Sequence, residues 1–394
     1  MSWPKVKLKD CCKVVGGATP KRNVPEYWES DDVPWVTPKD VSNLTDKTLL
    51  DAPEYISQLG FDKCATYLLP KGSILLTSRA PIGNVAIAGK DMCTNQGFKS
   101  LVAGEGVDST YLYYCMLAHS KHLDALGNGA TFKEVSKKVV EEFEIPLPPL
   151  EEQKRIAAIL DKADNVRRKR QQAIDLADDF LRSVFLDMFG DPFLNPKGLP
   201  QVKLTELSDV ISGYAFKSAE YIDDGEDSVR LCRGANTLTG YFDWKDTVYW
   251  NKEKLAGIQN YKVKSGDVIL AMDRPWISSG LKVCVFPENE RDTYLVQRVA
   301  RIRPKNPKYT DFLYASILSK AFEKHCCPTE TTVPHISPVE LKNFNVLVPD
   351  EKLVEKYHDA VVKVRKSKLA MQKSAVEALN AFNSLSQKSF AGEL

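Results

Sequence analysis

Basic side chains beside turns are the residues of this sequence whose types and spacing could do chemistry. The stretch "GGATPKRNVPEYW" places Lys21 and Arg22 in a Gly- and Pro-rich loop, and "TSRAPIGN" places Arg79 directly after an apolar run. Arginine can bond guanine through two hydrogen bonds and lysine can neutralise a phosphate, so such loops suit the binding of nucleic acid. A solvated surface charge, or an arginine that bonds carbonyl groups of its own loop, explains any one of them equally well. The candidate DNA-binding residues are Lys21, Arg22, Arg79, Lys133, Lys137, Lys138, Arg230, Arg233, Arg274 and His335.

No combination of residues in the sequence predicts a catalytic site. The G-x-x-x-x-G-K-[ST] loop that cradles the phosphates of ATP is absent, and "GNGATF" has Phe132 where a dinucleotide-binding motif needs its third glycine. The five histidines are scattered, and no metalloprotease pattern surrounds them. The Asn-Pro-Pro-aromatic or Asp-Pro-Pro-aromatic tetrad of amino-methylating nucleic-acid methyltransferases is also missing. We therefore expect a chain that binds no metal and no cofactor of its own.

Composition limits the kinds of protein that this chain can be. Lys and Arg together number 54 and Asp and Glu 52, for a net charge of +2, so a nucleic-acid surface must come from local clusters of basic residues. The nine cysteines show no C-x-x-C spacing, which favours reduced thiols over a disulfide framework or a zinc site. The first residues lack the apolar segment of a signal peptide, and no apolar run is long enough to span a membrane. We therefore predict a cytoplasmic protein.

An internal repeat of nearly two hundred residues organises the chain. "VKL" at residue 6 returns at residue 202, and "TFKEVSKKVVEEFEIPLP" (131–148) lies over "TVPHISPVELKNFNVLVP" (332–349) at a constant offset. "KGSILLTSRAP" (71–81) is similar to "SGDVILAMDRP" (265–275), which we interpret as a match of Arg79 with Arg274. Because solenoids are built from many short repeats, this pattern indicates a single duplication of a domain-sized unit.

Each copy divides by composition into two parts. The first is rich in Gly, Pro, aromatic and β-branched residues, with short apolar runs bounded by turn signals and a helical insertion at 109–126 or 309–325. The second is nearly free of Gly and Pro, which predicts a long helix. We therefore expect an α+β fold of two mixed α/β domains in tandem, separated by two long helices. The predicted boundaries are 1–149 and 191–349 for the domains and 150–190 and 350–394 for the helices.

Apolar residues in the two long segments recur in steps of four and three, the spacing of a coiled-coil seam, with Arg170 and Lys368 as polar interruptions. Helices of about 40 residues extend roughly 60 Å. Since that is too long for one small core, we predict that they pack on each other, antiparallel, about a pseudo-twofold axis. Prolines at 146, 148 and 149 would end the last strand and direct a helix that starts near Leu150. The predicted helix-packing residues are Ile159, Ala163, Val166, Ala173, Phe180, Val184, Val361, Val364, Met371, Ala375, Ala378, Phe382 and Leu385.

Two basic runs, "VRRKR" (166–170) and "KVRKSK" (363–368), lie at comparable points of these helices. A solvated helix face is the simplest interpretation of such a run. Contact with a nucleic-acid backbone or with an acidic partner surface is the alternative, and the sequence leaves both open.

The proline–helix junction "IPLPPLEEQKRIAAILDKAD", followed by a long helix ending in "FLDMFGDP" and a second copy ending in "KSFAGEL", resembles the specificity subunit of type I restriction–modification systems. "GGATPKRNVPEYWESDDVPWVTPKDV" resembles the opening of that family's first target-recognition domain, and "LLTSRAPIGNVAI" resembles a strand-turn-strand found later in it. The resemblance covers essentially the whole chain. The second copy departs from it, because "VPDEKLVEKYHDAV" lacks the Gln-x-x-Ile pattern of Gln153 and Ile156.

This resemblance implies a DNA-recognition subunit without catalytic activity. Members of the family have two target-recognition domains, here 1–149 and 191–349 with its short entry linker, and each reads one part of a split, asymmetric site in double-stranded DNA. Two antiparallel conserved helices set the spacing, and two methyltransferase subunits dock on them, bind S-adenosylmethionine and methylate adenine. Restriction subunits join some systems to translocate and cleave DNA with ATP and Mg²⁺. Because the two domains of this chain differ greatly in sequence, its half-sites should differ too.

Two other classes of protein stay open at this point. One is a non-catalytic scaffold whose coiled coil joins two protein-binding domains, which predicts no salt-dependent DNA affinity. The other is a fused enzyme with an unrecognised nuclease or methyltransferase site, which predicts a requirement for a metal or S-adenosylmethionine in the isolated chain.

Overall fold

The computed structural model describes residues 3–79, 81–129, 133–327 and 335–394. Packing divides the chain into two compact units: unit 1 is Met1–Ala173 with Met371–Leu394, and unit 2 is Ile174–Ala370. Each of the two long helices therefore contributes one part to each unit, so the compact units do not coincide with the four segments delimited by composition. Among the described residues, no helix is both long and apolar enough to cross a membrane.

The described residues of unit 1 include six short α-helices before the first long one. The predicted helical insertion at 109–126 is present as two of them, and Asp108 caps the first by accepting a hydrogen bond of 2.8 Å from the Tyr111 amide. The helices are α1 (Leu8–Cys11), α2 (Pro38–Ser42), α3 (Gln58–Asp62), α4 (Ser109–Ala118), α5 (Ser120–Ala125) and α6 (Lys137–Glu141).

The described strands of unit 1 form three sheets. They are β1 (Lys5–Lys7), β2 (Cys12–Gly16), β3 (Val33–Val36), β4 (Thr48–Leu49), β5 (Glu54–Ile56), β6 (Ile74–Leu76), β7 (Val85–Ala88), β8 (Cys93–Thr94), β9 (Lys99–Ala103) and β10 (Glu144–Pro146). The largest sheet has the order β2-β9-β6-β7-β4, a second has the order β5-β3-β8, and β1 pairs with β10. β3 runs parallel to β8 and β4 runs parallel to β7, whereas the other pairs are antiparallel.

Strand β6 is covered on both faces. Ile74 and Leu76 pack in a core that includes Leu112 of α4. Leu75 points the other way and joins a separate core with Phe98. Successive side chains of a strand lie on opposite faces, so a strand with two covered faces needs an unbroken apolar run such as "ILL". The strand predicted at this run is confirmed.

Unit 2 repeats this design. Its described strands are β11 (Gln201–Lys203), β12 (Ser208–Ser212), β13 (Ser228–Cys232), β14 (Val248–Asn251), β15 (Val268–Ala271), β16 (Trp276–Ile277), β17 (Gly280–Leu281), β18 (Val283–Val285), β19 (Thr293–Leu295), β20 (Val299–Pro304) and β21 (Asn345–Leu347). The sheet order β12-β20-β15-β18 corresponds to β2-β9-β6-β7, and the order β14-β13-β19 corresponds to β5-β3-β8. Val202 pairs with Val346 as Val6 pairs with Ile145, in agreement with the internal repeat.

The described residues of unit 2 include four short α-helices, and two of them form the second predicted insertion at 309–325. β16 and β17 form a hairpin that has no counterpart among the strands described in unit 1. The helices are α8 (Leu204–Leu207), α9 (Thr310–Ile317), α10 (Lys320–Cys326) and α11 (Pro338–Asn343).

The two long helices, α7 (Leu150–Phe189) and α12 (Glu351–Ala391), pack against each other in both units. In unit 1 the Arg170 guanidinium donates a hydrogen bond of 2.6 Å to the Ser374 carbonyl. In unit 2 the Lys368 ammonium lies 2.6 Å from the Asp178 carboxylate. Arg170 and Lys368, the two polar residues predicted within the seam, therefore each form a bond to the other helix. Within each unit the later residues of α7 meet the earlier residues of α12, which is the antiparallel arrangement expected. α7 begins at Leu150, directly after Pro149, as predicted.

The predicted seam fits α12 better than α7. On α12 the predicted positions are buried or half-buried, whereas on α7 the Val166 and Phe180 side chains are 46% and 54% exposed. The prediction is wrong for these two residues. The buried line of α7 lies one residue later, because polar Gln153 and Asp164 occupy buried positions that an apolar pattern passes over. Half-buried predicted positions are Ile159, Ala163, Ala173, Val184, Val364, Met371, Ala375 and Leu385, and buried ones are Val361, Ala378 and Phe382.

Gln153 fastens the start of α7 to the preceding loops. Its side chain is 1% exposed. The amide nitrogen donates to the carbonyls of Gly106 (3.0 Å) and Pro148 (2.8 Å), and the amide oxygen accepts from the Asp108 backbone N–H (2.9 Å). The corresponding residue of α12 is Val354, which is fully buried in the apolar core of unit 2. The Gln-x-x-Ile departure therefore replaces a polar clamp with a hydrophobic contact.

Candidate nucleic-acid interface

Both units carry the same arrangement of three backbone segments where one strand ends, β6 in unit 1 and β15 in unit 2. We call this arrangement the recognition edge. In unit 1 the Ser78 N–H donates to the Gly97 carbonyl (2.7 Å) and the Val135 N–H donates to the Ser78 carbonyl (2.9 Å). In unit 2 the same two bonds, each 2.9 Å, join Met272 to Arg298 and Ile336 to Met272. The edges consist of 77–79, 96–99 and 133–136 in unit 1 and of 271–274, 297–300 and 335–337 in unit 2.

This hydrogen-bond pattern corrects the register of the repeat. Because Ser78 corresponds to Met272, Arg79 corresponds to Asp273, and Arg274 comes one residue later. The isolated bridges agree, since Arg79 pairs with Glu134 and Asp273 pairs with His335. The match of Arg79 with Arg274 is therefore wrong: Arg274 has no arginine counterpart, and the charges across the bridge are reversed between the units.

Cations at the recognition edge of unit 1 converge on one carboxylate. The Lys99 ammonium lies 3.0 Å and the Arg79 guanidinium 3.9 Å from the Glu134 carboxylate, and Lys99 also donates to the Ser78 hydroxyl at 3.3 Å. Two other residues predicted to bind DNA also make ion pairs, Lys133 with Asp124 and Lys137 with Glu141. Lys138, a third, is exposed in α6. Exposed ion pairs contribute only about 0–1 kcal/mol, so phosphate oxygens can compete for these cations.

Arg22 is held in place between aromatic rings and an acid. Its guanidinium lies 3.7 Å from the centre of the Trp28 ring, and both ends of it bond the Glu54 carboxylate. Lys21 is exposed in the same turn, and its carbonyl accepts a hydrogen bond of 3.1 Å from the Trp28 indole. The loop is therefore preorganised, with about half of the Arg22 side chain open to solvent.

Arg230 is a structural residue, and its prediction as a DNA contact is wrong. The residue is 7% exposed and stacks on the Trp244 ring with its guanidinium carbon 3.7 Å from the ring centre. Its Nε donates to the Thr293 hydroxyl at 3.0 Å, and it also forms an ion pair with Glu290. Burial of the guanidinium among these partners leaves it no reach to a ligand outside the protein.

Arg233 is half-buried and bonds within its own loop. Its backbone N–H bonds the Asn236 side chain at 3.1 Å, and one guanidinium nitrogen donates to the Asp246 carbonyl. Its Nε is buried without a hydrogen-bond partner among the described residues. The guanidinium therefore helps to close its own loop, the alternative considered for such arginines.

The recognition edge of unit 2 carries exposed cations around one acid. Asp273 lies 2.5 Å from Arg298 and 2.6 Å from Nδ1 of His335, and these partners, Arg298 before His335, lower the pKa of the Asp273 carboxyl. Arg274 is exposed, and none of its contacts to described residues is a hydrogen bond or an ion pair. Lys282 is half-buried close by in sequence, and this burial lowers the pKa of its ammonium.

Arg274 and Arg298 both adopt a left-handed backbone, with φ of +43° and +64°. Such values are uncommon for residues other than glycine and asparagine. Sequence analysis did not select Arg298 or Lys99, because each sits in a strand or turn without a neighbouring basic residue; alignment of the two copies at this edge is the signal that finds them.

The basic runs of the long helices bond within the protein. In unit 1, Arg167 and Arg168 both bond the Asp164 carboxylate, which is 2% exposed, and Arg168 also donates to the Tyr113 hydroxyl at 3.1 Å. In unit 2, Arg365 lies 2.5 Å from the Asp311 carboxylate, which is also 2% exposed. For Arg168 and Arg365 the solvated-face interpretation is wrong, since they tie the helices to the mixed domains, whereas Arg167 bonds a carboxylate of its own helix.

The described part of the chain offers no group of three or more His, Cys, Asp or Glu side chains arranged to hold a metal ion. The nine cysteines are free thiols. Burial raises the pKa of several of them, such as Cys93 to about 12, so these sulfurs are weak nucleophiles and weak ligands.

In comparison with known proteins, this chain is similar in sequence to type I restriction proteins. Residues 2–176 match the family model for the type I restriction modification DNA specificity domain. The type I restriction enzyme MjaIX specificity subunit of Methanocaldococcus jannaschii is 28% identical over 421 residues, covering 100% of this chain and 93% of that one. The EcoAI specificity subunit of Escherichia coli is 32% identical over 153 residues, which is 38% of this chain and 26% of that one.

Two solved structures share the fold. The S subunit of a type I restriction–modification system from M. genitalium has a TM-score of 0.56 at 15% identity, covering 98% of this chain and 96% of its own. A chain from a study of assembly and conformational transition of the type I restriction–modification system has a TM-score of 0.53 at 19% identity, covering 100% and 98%.

Proposed function

We propose that this chain is the subunit that recognises DNA sequence in a type I restriction–modification complex, because residues 2–176 match the specificity-domain model and a specificity subunit is similar to it along the whole chain. Each unit would bind one half of a bipartite site in double-stranded DNA. The observation that carries the proposal is the duplicated recognition edge, which has the same backbone bonds but different side chains in unit 1 and unit 2. One scaffold with two surfaces is what a site with two unlike halves requires.

The chemistry of the edges supports DNA as the ligand. Exposed arginines suit bidentate bonds to guanine and contacts to phosphate. Arg274 and Arg298 keep a strained backbone at the edge of unit 2, and strain of this kind is retained mainly where function needs it. The carboxylates of Glu134 and Asp273 would hold the cations in position until DNA replaces them.

The long helices would dock partner subunits and set the gap between half-sites. On α7 the side chains of Leu176 and Phe180, four residues apart and thus on one face, are 66% and 54% exposed, and Leu369 of α12 is 63% exposed. Exposed apolar surface of this kind marks a protein interface. We expect two methyltransferase subunits there, with restriction subunits joining in some systems, and S-adenosylmethionine, ATP and Mg²⁺ bound by those partners and not by this chain.

In this proposal the chain has no catalytic step of its own, and the complex methylates adenine and, with restriction subunits, cleaves DNA. Its place of action is the cytoplasm, where DNA and partners are accessible. Inserting the same heptad into α7 and α12 is expected to lengthen the gap between half-sites without changing either half, because a heptad preserves the seam.

The test is methylation-sensitive long-read sequencing of DNA treated with the chain and its cognate methyltransferase, with the methyltransferase alone as control. A two-part motif with a fixed gap that depends on this chain is the expected result. If the complex forms and the enzyme is active, yet methylation is absent or identical without the chain, the DNA-recognition proposal is wrong and the scaffold class replaces it.

An Arg274→Ala variant adds a local test, with Lys342→Ala, an exposed lysine of α11, as its matched control. Loss of one phosphate contact would lower the salt dependence of DNA binding by about one unit of slope, and loss of a base contact would relax one position of the motif. The control should change neither quantity.

A further inference from the structure

The hairpin β16–β17 is the largest difference between the two recognition edges. It begins two residues after Arg274, whereas the described residues of the corresponding segment 77–84 form no strand pair with each other. We propose that this hairpin, Trp276–Leu281, enters the major groove and reads base edges in the half-site bound by unit 2, with Ile277, Ser278 and Ser279 as its specificity-determining residues. The inference rests on the proposed function and assigns this reading to particular side chains.

One face of the hairpin anchors it to the protein. Trp276 pairs with Leu281 across the hairpin. Leu281 is 5% exposed and belongs to the main core of unit 2, against which Trp276 also packs. Gly280, with φ of +117°, closes the turn in a conformation that side-chain-bearing residues rarely adopt. The hairpin is therefore held as a fixed projection.

The other face offers groups that suit base recognition. Ile277 is 41% exposed, and Ser278 and Ser279 form the exposed tip. The Ser279 hydroxyl lies 3.2 Å from the Thr239 hydroxyl, in the adjoining turn 238–241. That turn is itself fixed to β18 by a hydrogen bond of 2.9 Å from the Gly240 N–H to the Val283 carbonyl. The hairpin and the adjoining turn therefore offer three hydroxyls and one branched apolar side chain, and two of the hydroxyls, those of Ser279 and Thr239, are in contact.

Shape and chemistry both favour the major groove. A two-stranded ribbon fits this groove, which is about 12 Å wide and about 8.5 Å deep. Hydroxyls can donate to and accept from base edges, and an apolar side chain can contact the methyl group of thymine. Arg274 precedes the hairpin in the chain, and Arg298 pairs with Asp273 at the same edge. Both arginines are exposed and would bind the neighbouring phosphates.

The experiment compares methylation motifs made by the methyltransferase complex of Ile277→Ala, Ser278→Ala and Ser279→Ala with the wild-type motif. Each variant that loses a base contact is expected to relax discrimination at one position by roughly 5- to 150-fold. All changes should fall in the same half-site, and the gap and the other half-site should stay as they are. Ser279→Thr, which retains the hydroxyl, should keep most of the discrimination.

The controls are Ser265→Ala and Val339→Ala, which remove an exposed hydroxyl and an exposed branched side chain elsewhere in unit 2. Ser265 lies before β15, at the opposite end of that strand from the hairpin. A motif that is unchanged in all three hairpin variants, or changes that fall in both half-sites, would overturn the inference. If the wild-type complex gives no two-part motif, the proposed function itself fails, so the two failures are distinguishable.

Discussion

Replacing Gln153 by leucine is expected to destabilise unit 1 by about 2–4 kcal/mol, because it removes the partners of three backbone groups. The buried amide bonds the carbonyls of Gly106 and Pro148 and the N–H of Asp108. A buried group left without a partner costs about 1–3 kcal/mol. The bond to Pro148 is fully buried, whereas the other two are partly buried, so water restores some of what they lose.

The expected shift is large enough to measure. For a unit of this size, 1 kcal/mol corresponds to roughly 2–4 °C in the midpoint of thermal unfolding, so Gln153→Leu should lower the midpoint of unit 1 by about 4–16 °C. Differential scanning calorimetry would give the midpoint, and hydrogen exchange of the first turns of α7 would locate the effect in unit 1. The transition of unit 2 serves as an internal reference.

Two further variants make the test specific. Gln172→Leu makes the same chemical change at an exposed position of the same helix and should alter stability by less than about 0.5 kcal/mol. Gln153→Glu keeps an acceptor for Asp108 but loses both donors, so it should cost at least as much as leucine. If Gln153→Leu were no more harmful than Gln172→Leu, the clamp would contribute nothing and the reasoning would be refuted.

Three other predictions concern stability, pH and assembly. Arg230→Ala should destabilise unit 2 by about 2–4 kcal/mol in chemical denaturation, because it leaves the buried Thr293 hydroxyl without its donor and an unfilled space beside Trp244, whereas a pure DNA contact would leave stability unchanged. The hydrogen bonds from Lys7 and Lys9 lower the pKa of Glu142 from 4.5 to about 2, so its stabilising contribution is complete above pH 4.5 and is lost as the pH falls towards 2. A Glu142→Gln variant should accordingly show a smaller loss of stability than wild type over that pH range in thermal unfolding. Leu176→Ser with Phe180→Ser should weaken methyltransferase binding at least 10-fold by calorimetric titration while leaving the unfolding midpoint nearly unchanged, since both side chains are exposed, and unaltered affinity would contradict the docking surface.

Features that depend on local patterns were predictable from the sequence. The apolar runs that became β6 and β15, the helix start after Pro149 and the duplication all follow from short-range preferences and from similarity between the copies. The seam of α12 also followed, because its buried positions are mostly apolar. Burial and periodicity agree wherever the core is made of hydrocarbon.

The seam of α7 shows where such reasoning ends. Asp164 and Gln153 lie in its buried line because each finds partners, Asp164 in two arginines of its own helix and Gln153 in the backbone of neighbouring loops. A hydropathy pattern treats them as solvent-facing and so favours a line one residue away. The satisfaction of a buried polar group is a property of the fold and is not visible in the residue itself.

Prediction of the candidate site from sequence patterns met the same limit. The loops that carry Arg79 and Arg274 were predictable, but the register between the copies was off by one, because matching letters favoured arginine on arginine over the backbone hydrogen bonds. Arg230 was selected for its charge, although its place inside β13 buries it beneath Trp244. The hairpin β16–β17, which distinguishes the edge of unit 2 from that of unit 1, was not predicted, because its two-residue strands are too short for any periodicity to appear.

The composition of unit 1 has a consequence for the order in which the protein is made. The Phe382 side chain lies in the core of unit 1, and the Trp3 indole donates to the Ser389 carbonyl at 2.7 Å. On the ribosome, all of Ile174–Ala370 is therefore synthesised before the residues that complete the first unit. Nascent domains generally fold in sequence from the N-terminus. Here the first unit must wait with part of its core uncovered, and the second unit is the first that can finish, so a chaperone that shields the early segment would matter most before residue 371 emerges.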